Sequence, residues 1–264
     1  MQYNTVLIWQ KMPIDLPGQL IDCADRAYNR RGPHQRVQVF FRADDVAAPG
    51  KDFARLAALF RQYRVPLSMA VVPAWLTCQR RDALFQTTGP DRALWCWHQH
   101  GWRHMNHESA GKKQEFGPSR SRADLGRDLE KGCRRLAALL EDRFERVFTP
   151  PWNRCDEKTL TLLAHLGFRA VSRSLGSRPV TSTGLPDFQV GVDLHTRKDA
   201  DPKQGWINLM EDLNRALTSG VCGIMIHHQR MNPAAFEGLE QILKLVRSRK
   251  EMDLVHFRDM TTAV

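Results

Sequence analysis

Residues 37–72 read V-Q-V-F-F-R-A-D-D-V-A-A-P-G-K-D-F-A-R-L-A-A-L-F-R-Q-Y-R-V-P-L-S-M-A-V-V. The apolar run Val37–Phe41 predicts a strand. Phe53–Tyr63 predicts a helix, because Phe53, Leu56, Ala57 and Phe60 recur at the spacing of one helical face. Leu67–Val72 predicts a second strand, entered from Pro66 and stopped by Pro73. Short apolar strands alternating with amphipathic helices imply a mainly parallel sheet with both faces covered.

The alternation continues outward. Strands are predicted at Ala93–Trp97, Val147–Thr149, Ala170–Arg173, Phe188–Asp193 and Cys222–His227, with Leu254–Phe257 closing the set. Helices at Arg122–Arg143, Glu157–Leu166, Lys203–Thr218 and Ala234–Arg249 separate several of them. The first of these opens on Ser121 with Asp124 three residues later, an Asp variant of the capping box. Seven or eight such units suit a closed barrel better than an open sheet, and 264 residues is a length that one α/β barrel uses alone. With no internal repeat and no Pro- or Ser/Gly-rich linker, the expectation is a single domain over 1–264, with 1–36 as an N-terminal extension.

Composition excludes several classes. At 42% hydrophobic and 26% charged residues the chain is neither disordered nor collagen-like. No apolar run approaches the roughly 18 residues that would span a bilayer. The segment Met1–Gly32 lacks a secretory h-region, which makes a cytoplasmic location the expectation. Cys23, Cys78, Cys96, Cys133, Cys155 and Cys222 form no C-x-x-C pair and read as reduced, mostly buried thiols. The net charge of +10, from 39 Lys and Arg against 29 Asp and Glu, could draw nucleic acid, anionic glycan or an acidic membrane surface. The charges are spread out and lack interleaved aromatics, so a solvated basic surface is favoured over nucleic-acid binding.

In a barrel, reactive side chains belong at the C-terminal strand ends. Asp44 and Asp45 follow the first strand, and His98, His100 and His104 follow the third. Pro150, Pro151, Trp152 and Asn153 follow the fourth, and His227 and His228 end the run Cys222–Ile226. Adjacent residues of an extended chain point to opposite sides, so Asp44 and Asp45 should do different jobs: one as a metal ligand, one as a free base. In a helical turn His100 and His104 would stand about 40° apart on one face, as two zinc ligands would; His98 and His107 are further candidates. One carboxylate plus two imidazoles leaves a coordination position open, the pattern of a catalytic metal. His227 or His228 could then protonate a departing amine. Trp95 and Trp97 read as core, Trp152 as a pocket residue, and His34, His165 and His256 as structural.

At these residues a family resemblance emerges. Phe41-Arg-Ala-Asp-Asp45 resembles the T-F-D-D motif of the polysaccharide deacetylases, the NodB-homology or family 4 carbohydrate esterases. His100-Gly-Trp-Arg-His104 is similar to their H-[S/T]-x-x-H motif, with Gly101 in place of the hydroxyl residue. Thr149-Pro-Pro-Trp-Asn153 is similar in position to R-x-P-x-[G/Y], and Gly223-Ile-Met-Ile-His227 to the apolar run ending in L-H. The four occur in the family's order over roughly residues 37 to 260.

The resemblance implies an α/β fold of distorted (β/α)7-barrel type that binds one divalent ion, zinc or else cobalt, nickel or iron. It implies Asp44 as base, Asp45, His100 and His104 as metal ligands, and His227 as general acid with His228 as the alternative. Trp152, Asn153, Trp102 and Arg42 would contact substrate. The implied activity is deacetylation of an N-acetylated saccharide by a metal-activated water; the alternatives are hydrolysis of a non-sugar amide, or non-catalytic binding of anionic glycan or nucleic acid. The chain departs from the pattern at Val46, where the family has glycine, and at the absent motif-three arginine, which Arg42 or Arg173 could replace. Asp193 stands where it could orient the acid histidine. Residues 107–117 read as a lid with Gly111 and Gly117 as hinges, or as a solvated loop.

Overall fold

A computed structural model describes residues 6–32 and 35–262; His34 lies outside the described residues. The fold class is the expected α/β, distorted (β/α)7-barrel type, and the residues group into two compact units. No helix among the described residues is long and apolar enough to cross a membrane.

The first unit comprises residues up to 43 together with 50–67 and 190–256. Strand β1 (Val37–Val46) runs parallel to β7 (Val221–Ile226), with Gln38 opposite Val221 and Ala43 opposite Ile226. On either side, β8 (Met252–Leu254) pairs parallel with β1 and β6 (Val192–Asp193) pairs parallel with β7. Almost every β1 residue is buried, as a parallel strand covered on both faces requires. Helix α2 (Lys51–Tyr63) buries the stripe Phe53, Leu56, Ala57 and Phe60, as its periodicity predicts. Helices α6 (Pro202–Ser219) and α7 (Pro233–Ser248) lie close to the predicted spans.

The N-terminal segment contains an unpredicted helix, α1 (Leu16–Arg31), capped where the Asp15 side chain accepts from the Gly18 N–H. It buries Leu16, Leu20, Cys23, Ala24 and Ala27, and Asn214 of α6 donates to the Cys23 carbonyl at 3.0 Å. Trp9 fastens the segment further: its indole N–H donates to the Leu194 carbonyl at 2.7 Å. A Cβ on Gly238, in mid-α7, would come within 2.2 Å of the Trp9 ring, which is why a helix interior tolerates glycine there.

The second unit comprises 44–49, 68–189 and 257–262. Its strands β2 (Leu67–Val71), β3 (Trp95–His100), β4 (Phe144–Thr149) and β5 (Ala170–Val171) are neighbours in that order. β3–β4 and β4–β5 are parallel, with an irregular register between His98 and Gln99. Helices α4 (Arg122–Leu140) and α5 (Glu157–His165) pack on a core that includes Trp102, Phe116, Leu129, Phe148 and Val171. Helix α3 (Cys78–Thr88) and a final helix, α8 (Phe257–Thr262), have no counterpart in the sequence expectation. Ser121 caps α4 by accepting from the Asp124 N–H at 3.1 Å, as expected. β5 and β6 are shorter than predicted, and β3 and β1 run further: β3 reaches His100 and β1 reaches Val46. Asp44 and Asp45 thus sit on the last residues of β1 rather than beyond it.

Candidate metal centre

Within the second unit, Asp45, His100 and His104 converge. The Asp45 Oδ1 atom lies 3.2 Å from His100 Nε2 and 3.2 Å from His104 Nε2. All three candidate donor atoms fall within 4.8 Å of one another, the one such group of metal-capable side chains among the described residues. His98 and His107 are not in it. Zinc–nitrogen and zinc–oxygen bonds of about 2.0–2.2 Å at tetrahedral angles put neighbouring donors roughly 3.3–3.5 Å apart, so the observed separations fit one ion.

The two histidines arrive by a route different from the expected helical turn. His100 is the last residue of β3, and the chain then turns back on itself through Gly101 and His104, both in the left-handed region at φ +59° and +58°. The rings end 5.2 Å apart. Asp45, Trp152 and Asn153 are left-handed as well, so four of the six non-glycine residues with positive φ among the described residues lie in the site's own motifs. Such backbone costs on the order of 1–3 kcal/mol per residue and persists only where surrounding contacts over-determine it.

His100 is buried, and its Nδ1 stands 2.9 Å from the Thr149 carbonyl. A carbonyl can only accept, so Nδ1 carries a proton, which leaves Nε2 as the nitrogen that faces Asp45 and could bind a metal once deprotonated. Burial alone would depress the His100 pKa, but the hydrogen bond that protonated Nε2 donates to the Asp45 carboxylate and the charges of Asp44 and Asp45 outweigh it and raise it. His104 is pushed down to about 4, by burial first and by His100 second, so its imidazole is neutral and free of a competing proton at pH 7.

Aromatic rings flank His104: Trp152 at 4.5 Å and Trp75 at 5.8 Å between centroids. Trp75 was not singled out in the sequence; its signal is the P-A-W turn that follows β2, and it remains 37% exposed. A cavity of about 640 Å³ lies beside this wall, lined in part by Trp75, Arg103 and Met105.

Other expectations meet different outcomes. Trp95 and Trp97 are buried. Trp102 is only 7% exposed and packs in the core, with the Lys131 ammonium 5.1 Å from its ring, and it also lines the cavity beside Trp75. Arg42 is fully buried, its Nη2 on the Met225 sulfur at 3.1 Å. Arg173 is committed to Asp187 at 3.0 and 2.8 Å and to the Pro179 carbonyl, which leaves it unavailable as a substitute for the motif-three arginine. The Asp193 carboxylate accepts from the His195 and Thr196 N–H groups at 2.9 and 2.8 Å and so closes its own turn. Most of the 107–117 segment, Gly111 included, is exposed, whereas Gly117 is buried. The segment's end is fixed by buried Glu115 and Phe116, and the Phe116 carbonyl accepts from the Asp156 N–H at 2.9 Å.

In the first unit, His227 and His228 follow β7. His228 is buried with its ring 5.6 Å from Phe53. His227 is half-buried and donates its backbone N–H to His195 Nδ1 at 3.2 Å. His195 is fully buried against Trp9, and burial, followed by His227, His228 and Arg230, holds its pKa well below the usual imidazole value.

No family model matches the chain, and no curated protein matches it in sequence. Solved structures do. A protein from Mycobacterium smegmatis assigned as a polysaccharide deacetylase is 14% identical and superposes with a TM-score of 0.63 over 88% of this chain and 92% of its own. A family 4 acetyl xylan esterase from Clostridium thermocellum, in complex with a cobalt ion, is 14% identical with a TM-score of 0.53 over 86% and 91%. A Bacillus anthracis pseudoenzyme of that carbohydrate esterase family, in a mutant with restored enzymatic activity, is 12% identical with a TM-score of 0.53 over 87% and 69%. At such identity the likeness concerns architecture, and it agrees with the motif order: the chain has the fold of the polysaccharide deacetylases and family 4 carbohydrate esterases.

Proposed function

We propose that this protein is a metal-dependent amide hydrolase that deacetylates an N-acetylated saccharide. The observation that carries the reading is the single Asp45 oxygen facing two imidazole nitrogens at 3.2 Å each. A divalent ion held by Asp45, His100 and His104 supplies Lewis acidity for attack on an acyl carbonyl. Zinc suits two nitrogens and one oxygen; cobalt, nickel and iron are the other candidates.

The chain's own groups take the remaining roles. Asp44, 2% exposed and adjacent to the ligand Asp45, receives the proton of the attacking water. His227 returns a proton to the departing amine. It is preferred to His228 because His228 is buried against Phe53, whereas His227 keeps partial exposure at the end of β7. Trp152 and Asn153 contact the substrate, and the exposed ring of Trp75 adds an apolar face against which a pyranose can stack. The six cysteines form no disulfide, which suits a reducing, cytoplasmic compartment. The same groups would serve a non-sugar amide.

A second reading, a non-catalytic binding protein, is favoured by one observation: Arg173 is spent on Asp187 and so does not replace the missing motif-three arginine, which leaves Arg42 as the remaining candidate. Elemental analysis of wild type, His104→Ala and Asp44→Asn, paired with an acetate-release assay on N-acetylated sugars, separates the two. About one divalent ion per chain, lost in His104→Ala and kept in an inactive Asp44→Asn, supports the hydrolase. Absence of metal from the wild type after incubation with divalent ions, or full activity of Asp44→Asn, overturns it.

A further inference from the structure

Glu115 lies outside every motif described above, yet it is fully buried eleven residues beyond His104. Its two oxygens collect three consecutive backbone donors. Oε2 accepts from the Trp102 N–H at 3.1 Å and the His104 N–H at 3.2 Å, and Oε1 accepts from the Arg103 N–H at 2.6 Å. These groups have left the sheet, because β3 ends at His100, and the buried Trp102 N–H in particular would otherwise have no acceptor. An ionised carboxylate, acceptor-only with two oxygens, suits three converging N–H groups.

We infer that Glu115 is the positioning residue that fixes the His100–His104 turn and thereby presents His104 to the metal; the inference rests on the metal-centre reading above. The turn needs an external brace because His104 is held at φ +58°, a conformation an L-residue leaves unless neighbours hold it. Gly101 shows where the brace enters. A Cβ there would lie 2.1 Å from Glu115 Oε2 and 2.6 Å from Pro151 Cγ. The position at which the resembled motif carries a hydroxyl residue is therefore bare here, and a carboxylate from later in the chain fills the space. The brace is anchored behind. Phe116 sits in the core and bridges Cys155, and its carbonyl accepts from the Asp156 N–H and from Thr159 Oγ1.

The test uses Co²⁺ as probe on the full chain, titrated into metal-free wild type, Glu115→Gln and Glu115→Asp, with folding followed separately by circular dichroism. Glutamine keeps one acceptor oxygen and turns an NH₂ toward the backbone donors. Glu115→Gln should therefore lose affinity on the order of 10–100-fold, the scale for groups that orient a ligand, with an altered visible d–d spectrum. Glu115→Asp, which keeps both oxygens, should recover part of the loss. Wild-type affinity and spectrum in Glu115→Gln would overturn the inference, as would a loss in Glu115→Asp equal to or greater than that in Glu115→Gln; if the Gln variant does not fold, a Glu115→Asp variant with wild-type affinity and spectrum overturns the inference and a weakened one with an altered spectrum supports it. Failure of the wild type to take up Co²⁺ would instead overturn the metal-centre reading itself.

Discussion

Replacing Gly101 by alanine tests the tightest point of the metal turn. Two costs follow from the coordinates. Alanine at φ +59° costs about 1–2 kcal/mol relative to glycine. The new methyl would also stand 2.1 Å from Glu115 Oε2 and 2.6 and 2.8 Å from Pro151 Cγ and Cδ, inside any permissible contact. Pro151 belongs to a rigid ring, so relief must come from the carboxylate, which abandons the backbone donors it serves. Overpacking costs about 1–3 kcal/mol, and a lost hydrogen bond to a charged acceptor about 1.5–3 kcal/mol. Gly111 supplies the control: its φ is +78°, with nothing within 4 Å of an added Cβ, so Gly111→Ala carries the backbone cost alone. The excess destabilisation of Gly101→Ala over Gly111→Ala should be about 3 kcal/mol or more. At ~2–4 °C per kcal/mol for a chain of this size class, that is roughly 6–12 °C in Tm. Differential scanning calorimetry of the three metal-free proteins measures it. Equal melting temperatures for the two variants would refute the argument that Glu115 fills the space above Gly101.

Two further outcomes can be checked without knowing the substrate. Cys78 is the exposed thiol, and burial pushes Cys96, Cys155 and Cys222 up to about 12; Ellman's reagent at pH 8 should titrate one thiol quickly in the native protein and six after denaturation, and two or more fast native thiols would contradict this packing. His195 is held neutral by burial, with its pKa below that of the unfolded chain, and its Nδ1 must stay unprotonated to accept the His227 N–H. The unfolded state therefore takes up a proton that the folded state refuses as pH falls below 6.5, and stability is lost on that side. Urea midpoints between pH 7.5 and 5.0 should fall less steeply in His195→Phe than in wild type, by up to one proton's worth, about 1.4 kcal/mol per pH unit; parallel profiles would exclude His195 as the linked group.

The alternation of strands and helices was legible because burial on both faces of a parallel strand leaves an unbroken apolar run, and each covering helix shows its stripe at 3.6-residue spacing. Val37–Phe41, Leu67–Val72 and the α2 stripe lie close to where the structure has them. The elements that escaped were those with weak local patterns. α3 has almost no amphipathic contrast and buries only Leu84 and Thr88. The Trp9–α1 segment owes its fixed position to α6, α7 and the Leu194 carbonyl, partners that lie nearly two hundred residues away in the chain.

The Asp45–His100–His104 cluster was legible for a different reason: a site that could hold a metal calls for particular donor types at short spacings, and both survive in the order of letters. Asp45, His100 and His104 carry their chemistry in the side chain itself. The conformation that joins them does not show in the letters. Five residues of the site's motifs adopt positive φ; Asp45, Gly101 and Asn153 are types that tolerate it, whereas His104 and Trp152 are held there by contacts rather than by local preference. Glu115 reads as one acid in a polar loop until folding sets its oxygens against three orphaned N–H groups. Arg42 and Trp102 look like polar and aromatic surface groups until folding buries the first fully and leaves the second 7% exposed. Donor identity is a property of single residues, whereas exposure and backbone strain are properties of what packs around them, and those neighbours come from remote parts of the chain.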